Sequence, residues 1–565
     1  MRKFKVAGIA AMFLAASAFT GCDILKDLEY NVSPDPLEMH GDSVRVTITA
    51  TVPEKGLHKK AVVEITPMIG DTPLRTVVYQ GEKAEGNGKV IPFKAGGKIT
   101  YTDVIAYADA MEVTELKVKI IASKKGKEKE NFVTDPLADG TIITPYLIMN
   151  DDMVLMADDK FVRDTDHSEE ATINYLKDRS EVRTSELRED DIVAFKEFIE
   201  EGNENDRIEF NKVVINAYAS PEGEISRNNG LADDRAASAQ KAVMRMMKDI
   251  EVEGGQEESM YAPKGNGEDW EGFKAAMQAS DIEDKDVVLR ILSKYTGEER
   301  EEQIKNIAET YTVIKKDILP GLRRSNISLN YTLHGKTDEE LKALSKSKPD
   351  SLTIEELLFT ATLVDDLDEK LRIYREAAKN YPGDWRAHNN VGYILFLQNK
   401  VQEAKEHFET AAQKEDNSIV KNNLGACTRI GNGERNGGDR NKALELFQES
   451  TSAGKEVSYN IGLVHIQNGN YGEAVTSMGD YATFNKALAQ LLAGDTNGAL
   501  STLDNSDDKE TAMGYYLKAV AGARQGNKEM VVNNLKSAVS KDSSLKEKAA
   551  IDREFIKYFE DADFK

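Results

Sequence analysis

Cysteine is nearly absent: the 565-residue chain has two, at positions 22 and 427. With Cys22 engaged elsewhere no intrachain disulfide is possible, so stability must come from buried apolar area. Histidine is equally thin. The seven histidines, at 40, 58, 167, 334, 388, 407 and 465, form no His-x-x-x-His spacing and no Cys-x-x-Cys occurs, so the sequence offers neither a metal site nor a cofactor site. No Gly-x-Ser-x-Gly elbow or phosphate loop is present. Gly265-x-Gly267 is followed by Glu268 and Asp269, acids where a phosphate would need donors. No catalytic residue is nominated, and an enzyme is not expected. Clustered cations are missing too: the net charge is −24 with no Lys/Arg-rich face, which argues against a nucleic-acid partner.

What is present describes soluble globular material, with 40% hydrophobic and 30% charged residues. At about 100–200 residues per domain the chain holds several domains. At the N-terminus Arg2, Lys3 and Lys5 precede an apolar run from Val6 to Phe19, the shape of a secretory signal and too short to span a membrane. The run enters Phe19-Thr20-Gly21-Cys22, which resembles a bacterial lipobox with Phe19 in place of the usual Leu. The resemblance implies a signal peptide over residues 1–21, lipidation at Cys22, and an outer-membrane lipoprotein of the cell envelope, on its periplasmic or its surface face. Cys427, in an apolar helical context, reads as a small buried hydrophobe.

Residues 22–135 are strand-rich. Val44, Val46, Ile48, Ala50 and Val52 alternate with Arg45, Thr47, Thr49 and Thr51, giving a half-buried strand. Further strands are expected over 61–67, 74–80, 99–107 and 115–122, as a small antiparallel β-sandwich of immunoglobulin-like type. Residues 136–170 are expected to connect this domain to the next.

Residues 171–335 read as an α/β domain. Val213, Ile215 and Ala217 share one face of a strand, a turn follows on Pro221 and Gly223, and a helix is entered near Asn228. The stretch resembles the C-terminal, peptidoglycan-associating domain of the OmpA family: Asn228, Leu231, Arg235 and Ala236 fall on that family's Asn-x-x-Leu-Ser-x-x-Arg-Ala. Thr172–Leu176, the helix 189–200, Gly265–Glu268 and Arg323-Arg324 follow in family order, and 269–300 is a helical insertion. The family's Asp and Arg clasp the diaminopimelate of the stem peptide. Here the Asp position is Ser220, with Glu222 in the same turn as a substitute carboxylate. The resemblance therefore nominates Ser220, Glu222, Asn228 and Arg235 as a peptidoglycan site, and Arg235 either meets a ligand carboxylate or pairs with Glu222 or Asp234.

Residues 350–565 are helical throughout. Gly392, Ala404, Phe408 and Ala411 lie at offsets of 12, 4 and 3, and both Tyr374 to Phe408 and Ala377 to Ala411 span 34 residues. Gly425, Ala443 and Phe447 repeat the pattern around an insertion, and Gly462 with Ala474 restores the offset of 12. This resembles an all-α tetratricopeptide solenoid, in which Gly or Ala lets two helices approach and the aromatic fills the gap to the next pair. The multidomain whole reads as a non-enzymatic, lipid-anchored envelope scaffold. It would link an outer-membrane protein assembly to peptidoglycan and bind an envelope protein partner through its repeats. The alternative is a protein-interaction adaptor whose OmpA-like domain no longer binds peptidoglycan.

Overall fold

The computed structural model describes residues 24–25, 28–433 and 437–564; Cys22 lies outside them. Residues 159–363 form one compact unit, and the chain up to Asp158 together with the chain from Val364 forms the other.

The strand-rich part comprises β1 (Glu29–Ser33), β2 (Leu37–His40), β3 (Ser43–Val52), β4 (Ala61–Ile69), β5 (Thr72–Pro73), β6 (Val77–Gly81), β7 (Lys89–Ile91), β8 (Gly97–Ala106), β9 (Glu115–Lys124), β10 (Lys127–Val133), β11 (Ala138–Asp139) and β12 (Thr141–Ile142). One sheet runs β1-β3-β2-β12 with β8 also on β3; the other runs β10-β9-β4-β6-β7 with β5 on β4 and β11 on β9. The alternating residues of β3 turn inward, and Val46 and Ile48 share one apolar cluster with Val63 and Ile65 of β4 and Val118 and Ile120 of β9. Pairing is not wholly antiparallel: β12 lies parallel on β2 and β7 parallel on β6. Strand β12 reaches β2 only after roughly a hundred residues, a connection free of the direction a hairpin imposes.

Residues 136–170, expected as a connector, divide three ways. Residues 138–142 complete the two sheets, 144–158 run along the C-terminal helices, and β13 (Thr165–Asn174) opens the next sheet, ahead of the expected start at 171.

In the second unit β13 is followed by α1 (Asp190–Asn203), β14 (Ile208–Ala219), α2 (Ile225–Asp249), β15 (Tyr261–Glu268), α3 (Trp270–Ala279), α4 (Lys285–Lys294), α5 (Gly297–Lys305), α6 (Ala308–Asp317), β16 (Arg324–Leu333), α7 (Asp338–Ser347) and α8 (Ile354–Thr362). The sheet order is β13-β16-β14-β15, with β14 and β15 parallel and the other pairs antiparallel. Val213, Ile215 and Ala217 of β14 pack against Phe195 and Ile199 of α1 and Ala236, Ala239 and Val243 of α2. Helices α3 to α6 pack around their own apolar cluster, including Phe273, Met277, Val288 and Ile314; the segment 269–300 expected as helical holds α3, α4 and the start of α5. Both α7 and α8 begin on capping boxes, Thr337 with Glu340 and Thr353 with Glu356. Helix α8 belongs to this unit rather than to the repeats expected from 350: Lys336 bonds Glu356 at 2.7 Å and Phe161 stacks on Phe359 at 4.5 Å.

The C-terminal helices are α9 (Leu367–Asn380), α10 (Trp385–Leu397), α11 (Val401–Lys414), α12 (Ser418–Ile430), α13 (Arg440–Glu449), α14 (Lys455–Gln467), α15 (Tyr471–Ser477), α16 (Phe484–Leu492), α17 (Thr496–Asp504), α18 (Ala512–Gln525), α19 (Lys528–Lys541) and α20 (Leu545–Ile551). From α10 to α19 they stack as antiparallel pairs. A Cβ on Gly392 would sit 2.7 Å from the Phe408 ring and one on Gly425 2.6 Å from the Phe447 ring, so the small residues are required by close approach. At Gly462 the filler is Met478, 2.5 Å from such a Cβ. Ala404, Ala411, Ala443 and Ala474 are fully buried at the same interfaces. Among the described residues no helix is long and apolar enough to cross a membrane.

Candidate functional site

The helix pairs leave one face lined by asparagine. In each of α10, α12 and α14 an Asn stands two residues before the small packing residue: Asn390 before Gly392, Asn423 before Gly425, Asn460 before Gly462. Asn485 precedes Ala487 in α16 in the same way. At 3.6 residues per turn two positions differ by about 200°, so the small residue meets the second helix of its pair while the Asn points to the opposite face. All four are fully or almost fully buried, because the chain's own residues 149–157 lie across them in extended form.

Each carboxamide takes both main-chain groups of one residue. Asn390 accepts from the Ala157 N–H at 2.8 Å and donates to its carbonyl at 2.9 Å. Asn423 does the same for Leu155, at 2.7 Å both ways, and Asn460 for Met153 at 2.8 and 2.9 Å. Asn485 holds Met149 at 2.9 and 3.0 Å. A side-chain amide offers the donor and acceptor of a peptide unit, so each Asn acts as one rung of a sheet and pairs both main-chain groups of the residue it holds. Neighbouring rungs are joined: Asn423 donates to Asn389 at 2.9 Å and Asn460 to Asn422 at 3.0 Å.

Side chains between the rungs fix the register. Val154 enters a cluster with Ala426, Phe447, Val457 and Val464. Asp152 accepts from Arg429 through both carboxylate oxygens, with Nε to Oδ1 at 2.6 Å and both side chains wholly buried. Burial opposes the Arg429 charge, and Asp152 more than offsets it, holding the guanidinium above its ordinary range. Asp151 accepts from Tyr459 Oη at 2.5 Å and Asn485 Nδ2 at 2.6 Å, yet burial pushes its carboxyl up to about 6. Cys427 of α12 is buried, which pushes its thiol up to about 12 and leaves it unreactive at neutral pH.

The nominated residues of the other unit gather at the end of β14. Ser220 is buried; its Oγ lies 3.4 Å from Glu222 Oε1 and accepts from Arg323 Nε at 3.3 Å. Arg323 also pairs with Glu222 at 3.1 Å, and Lys177 approaches the same carboxylate at 3.5 Å. Asn228 donates to Glu268 at 2.8 Å, a carboxyl raised first of all by burial. Arg235 is not aimed at a ligand. Its guanidinium donates to the carbonyls of Arg179, Tyr218 and Leu176 at 3.0, 2.7 and 3.2 Å and lies over the Tyr175 ring at 5.1 Å. The residue is 1% exposed, and burial lowers it to about 10. The expected pairing of Arg235 with Glu222 or Asp234 is replaced by main-chain carbonyls, and the cation beside Ser220 and Glu222 is Arg323.

Sequence reasoning missed the asparagine face. Its signal is the recurrence of Asn two residues before Gly392, Gly425, Gly462 and Ala487, legible once helix faces are assigned.

The family model described as tetratricopeptide repeat matches residues 367–418. No curated protein matches the chain. Among solved structures, a tetratricopeptide repeat protein from Parabacteroides merdae is 17% identical over 44% of this chain and 97% of its own, with a TM-score of 0.29. YrrB, described as a TPR protein with an unusual peptide-binding site, is 19% identical over 37% and 94%, with a TM-score of 0.21. PilF of Pseudomonas aeruginosa is 16% identical over 38% and 99%, with a TM-score of 0.28. The C-terminal region carries tetratricopeptide repeats, which points to protein–protein interaction.

Proposed function

We propose that this chain is a non-enzymatic, lipid-anchored adaptor of the cell envelope that works through protein contacts. The observation that carries the reading is the repeat region with its face for main chain: four asparagines each take the N–H and the C=O of one residue, an arrangement that grips polypeptide whatever its side chains. In the chain as it stands the occupant is its own segment 149–157, so this contact joins the strand-rich part and the repeats into one unit. Contact with a second protein then falls to surfaces outside that face. The lipobox-like Cys22 supplies the anchor in this reading.

A second reading, attachment to peptidoglycan, is favoured by one group of residues. The resemblance to the OmpA-like domain read from the sequence draws support from Ser220, Glu222 and Arg323, which meet at the end of β14, with Asn228 bonded nearby to Glu268. Arg235, spent on three carbonyls, does not serve it. Co-sedimentation of the signal-free protein with purified peptidoglycan separates the two readings. The adaptor reading expects the protein to stay in the supernatant. Pelleting that is lost in Arg323→Ala would establish the second reading and withdraw the first.

A further inference from the structure

The far end of the repeats has a cavity that neither the asparagine face nor the strap of residues 149–157 lying on it uses. It is a groove of about 680 Å³ between α19, α20 and the terminal segment after α20. Its apolar walls are Val532, Leu535 and Val539 of α19, Ala549 of α20, and Phe559 and Phe564 beyond. Lys536 and Lys546 also line it. Asp563 is the acid on the lining, and it is held by Lys528 at 3.0 Å, with Asp561 on the same ammonium at 2.6 Å. Among the described residues Lys536 and Lys546 pair with no acid, so the groove carries uncompensated positive charge in a chain whose net charge is −24.

We propose that this groove binds the alkyl chain of a long-chain carboxylate, with Lys536 and Lys546 receiving the carboxylate at the rim. The volume lies within the range of about 300–1,000 Å³ typical of small-molecule sites, which combine an apolar lining with a few placed polar groups. The walls come from three segments, which suits a slender chain; a partner helix, with a diameter of about 10–12 Å, needs a broad open face. The two ammonium groups select a negative head, and the flexible lysine stems let that head stay near water while the tail is buried.

Titration calorimetry of the intact protein with laurate, myristate and palmitate tests the proposal. Binding should be saturable at one per chain and tighten about tenfold or more with each added pair of methylenes, since the stabilisation scales with buried CH₂. Both lysines are exposed, so Lys536→Glu with Lys546→Glu should leave the far-ultraviolet spectrum unchanged and weaken palmitate at least about tenfold. Phe564→Asp should abolish binding in a folded protein. Absence of saturable binding, or palmitate affinity equal in the charge-reversed variant, would overturn it. So would binding confined to phosphatidylglycerol vesicles, or displacement of palmitate by an acidic amphipathic helical peptide that binds more tightly.

Discussion

Asn423 makes the strap's tightest rung, at 2.7 Å in both directions to Leu155 and 2.9 Å to Asn389. Asn423→Ala leaves the buried N–H of Leu155 without its partner while the carbonyl keeps Asn389 at 3.1 Å, so a loss of about 1–3 kcal/mol is expected, with faster amide exchange at Leu155 than at Ala157. Asp151 has the opposite tendency. A free aspartate titrates near 3.8, and burial raises this one to about 6. Between those values the folded chain holds a proton that the unfolded chain has released, so this group adds stability as pH falls from above 6 toward 3.8 and withdraws it as pH rises through 6. A shift of about two units is worth roughly 3 kcal/mol against the fold at neutral pH. Asp151→Asn should therefore raise the melting temperature at pH 7, with a gain that shrinks as pH falls and is small only below about pH 3.8. Tyr459 remains bonded to Thr483 at 2.9 Å and can accept from the new amide. A pH-independent difference between the two proteins would refute the buried-carboxylate account.

At the scale of elements, the helix pairs depend on the small residues facing their fillers. Gly425→Val drives two methyl groups into the Phe447 ring, which a Cβ alone would already approach to 2.6 Å. Overpacking of this kind costs about 1–3 kcal/mol, read as a lower urea midpoint. Adding Phe447→Leu should recover part of the loss. Gly230 of α2 is the control: nothing lies within 4 Å of its Cβ position, so Gly230→Ala should be neutral or stabilise by up to about 1 kcal/mol.

At the scale of the molecule, the strand-rich part and the repeats belong to one compact unit although more than two hundred residues separate them in sequence. The asparagine-held strap is one tie. Others are Arg553 with Asp139 at 3.0 Å, Thr144 with Glu554 at 2.5 Å, and His40 against Tyr471 with ring centres 4.7 Å apart. Replacing residues 149–157 by a Gly/Ser stretch of equal length removes the rungs and strands Arg429 without its carboxylate, a loss that for a buried pair is about 3–5 kcal/mol by itself. Calorimetry should then show the repeats melting well below the strand-rich part, where the intact protein melts the two together. One shared transition in the variant would mean that the remaining contacts suffice.

The sequence by itself determined the local elements. Alternation marked β3, the strand–turn–helix of β14 and α2 stood at its place, and the spacing of Gly392, Ala404 and Phe408 marked the repeats, because each rests on contacts within one helix pair or on one sheet face. Three things were decided only in the tertiary structure. Arg235 carries the same side chain whether it meets a ligand or three carbonyls, and the position of Arg179, Tyr218 and Leu176 settles which. Helix α8 falls within the range expected for the repeats, and its place in the other unit turns on contacts such as Lys336 with Glu356. The stretch from 144 to 158 has no periodicity of its own, because its main chain is paired by side chains supplied from helices more than two hundred residues downstream, and no local pattern records such a partner.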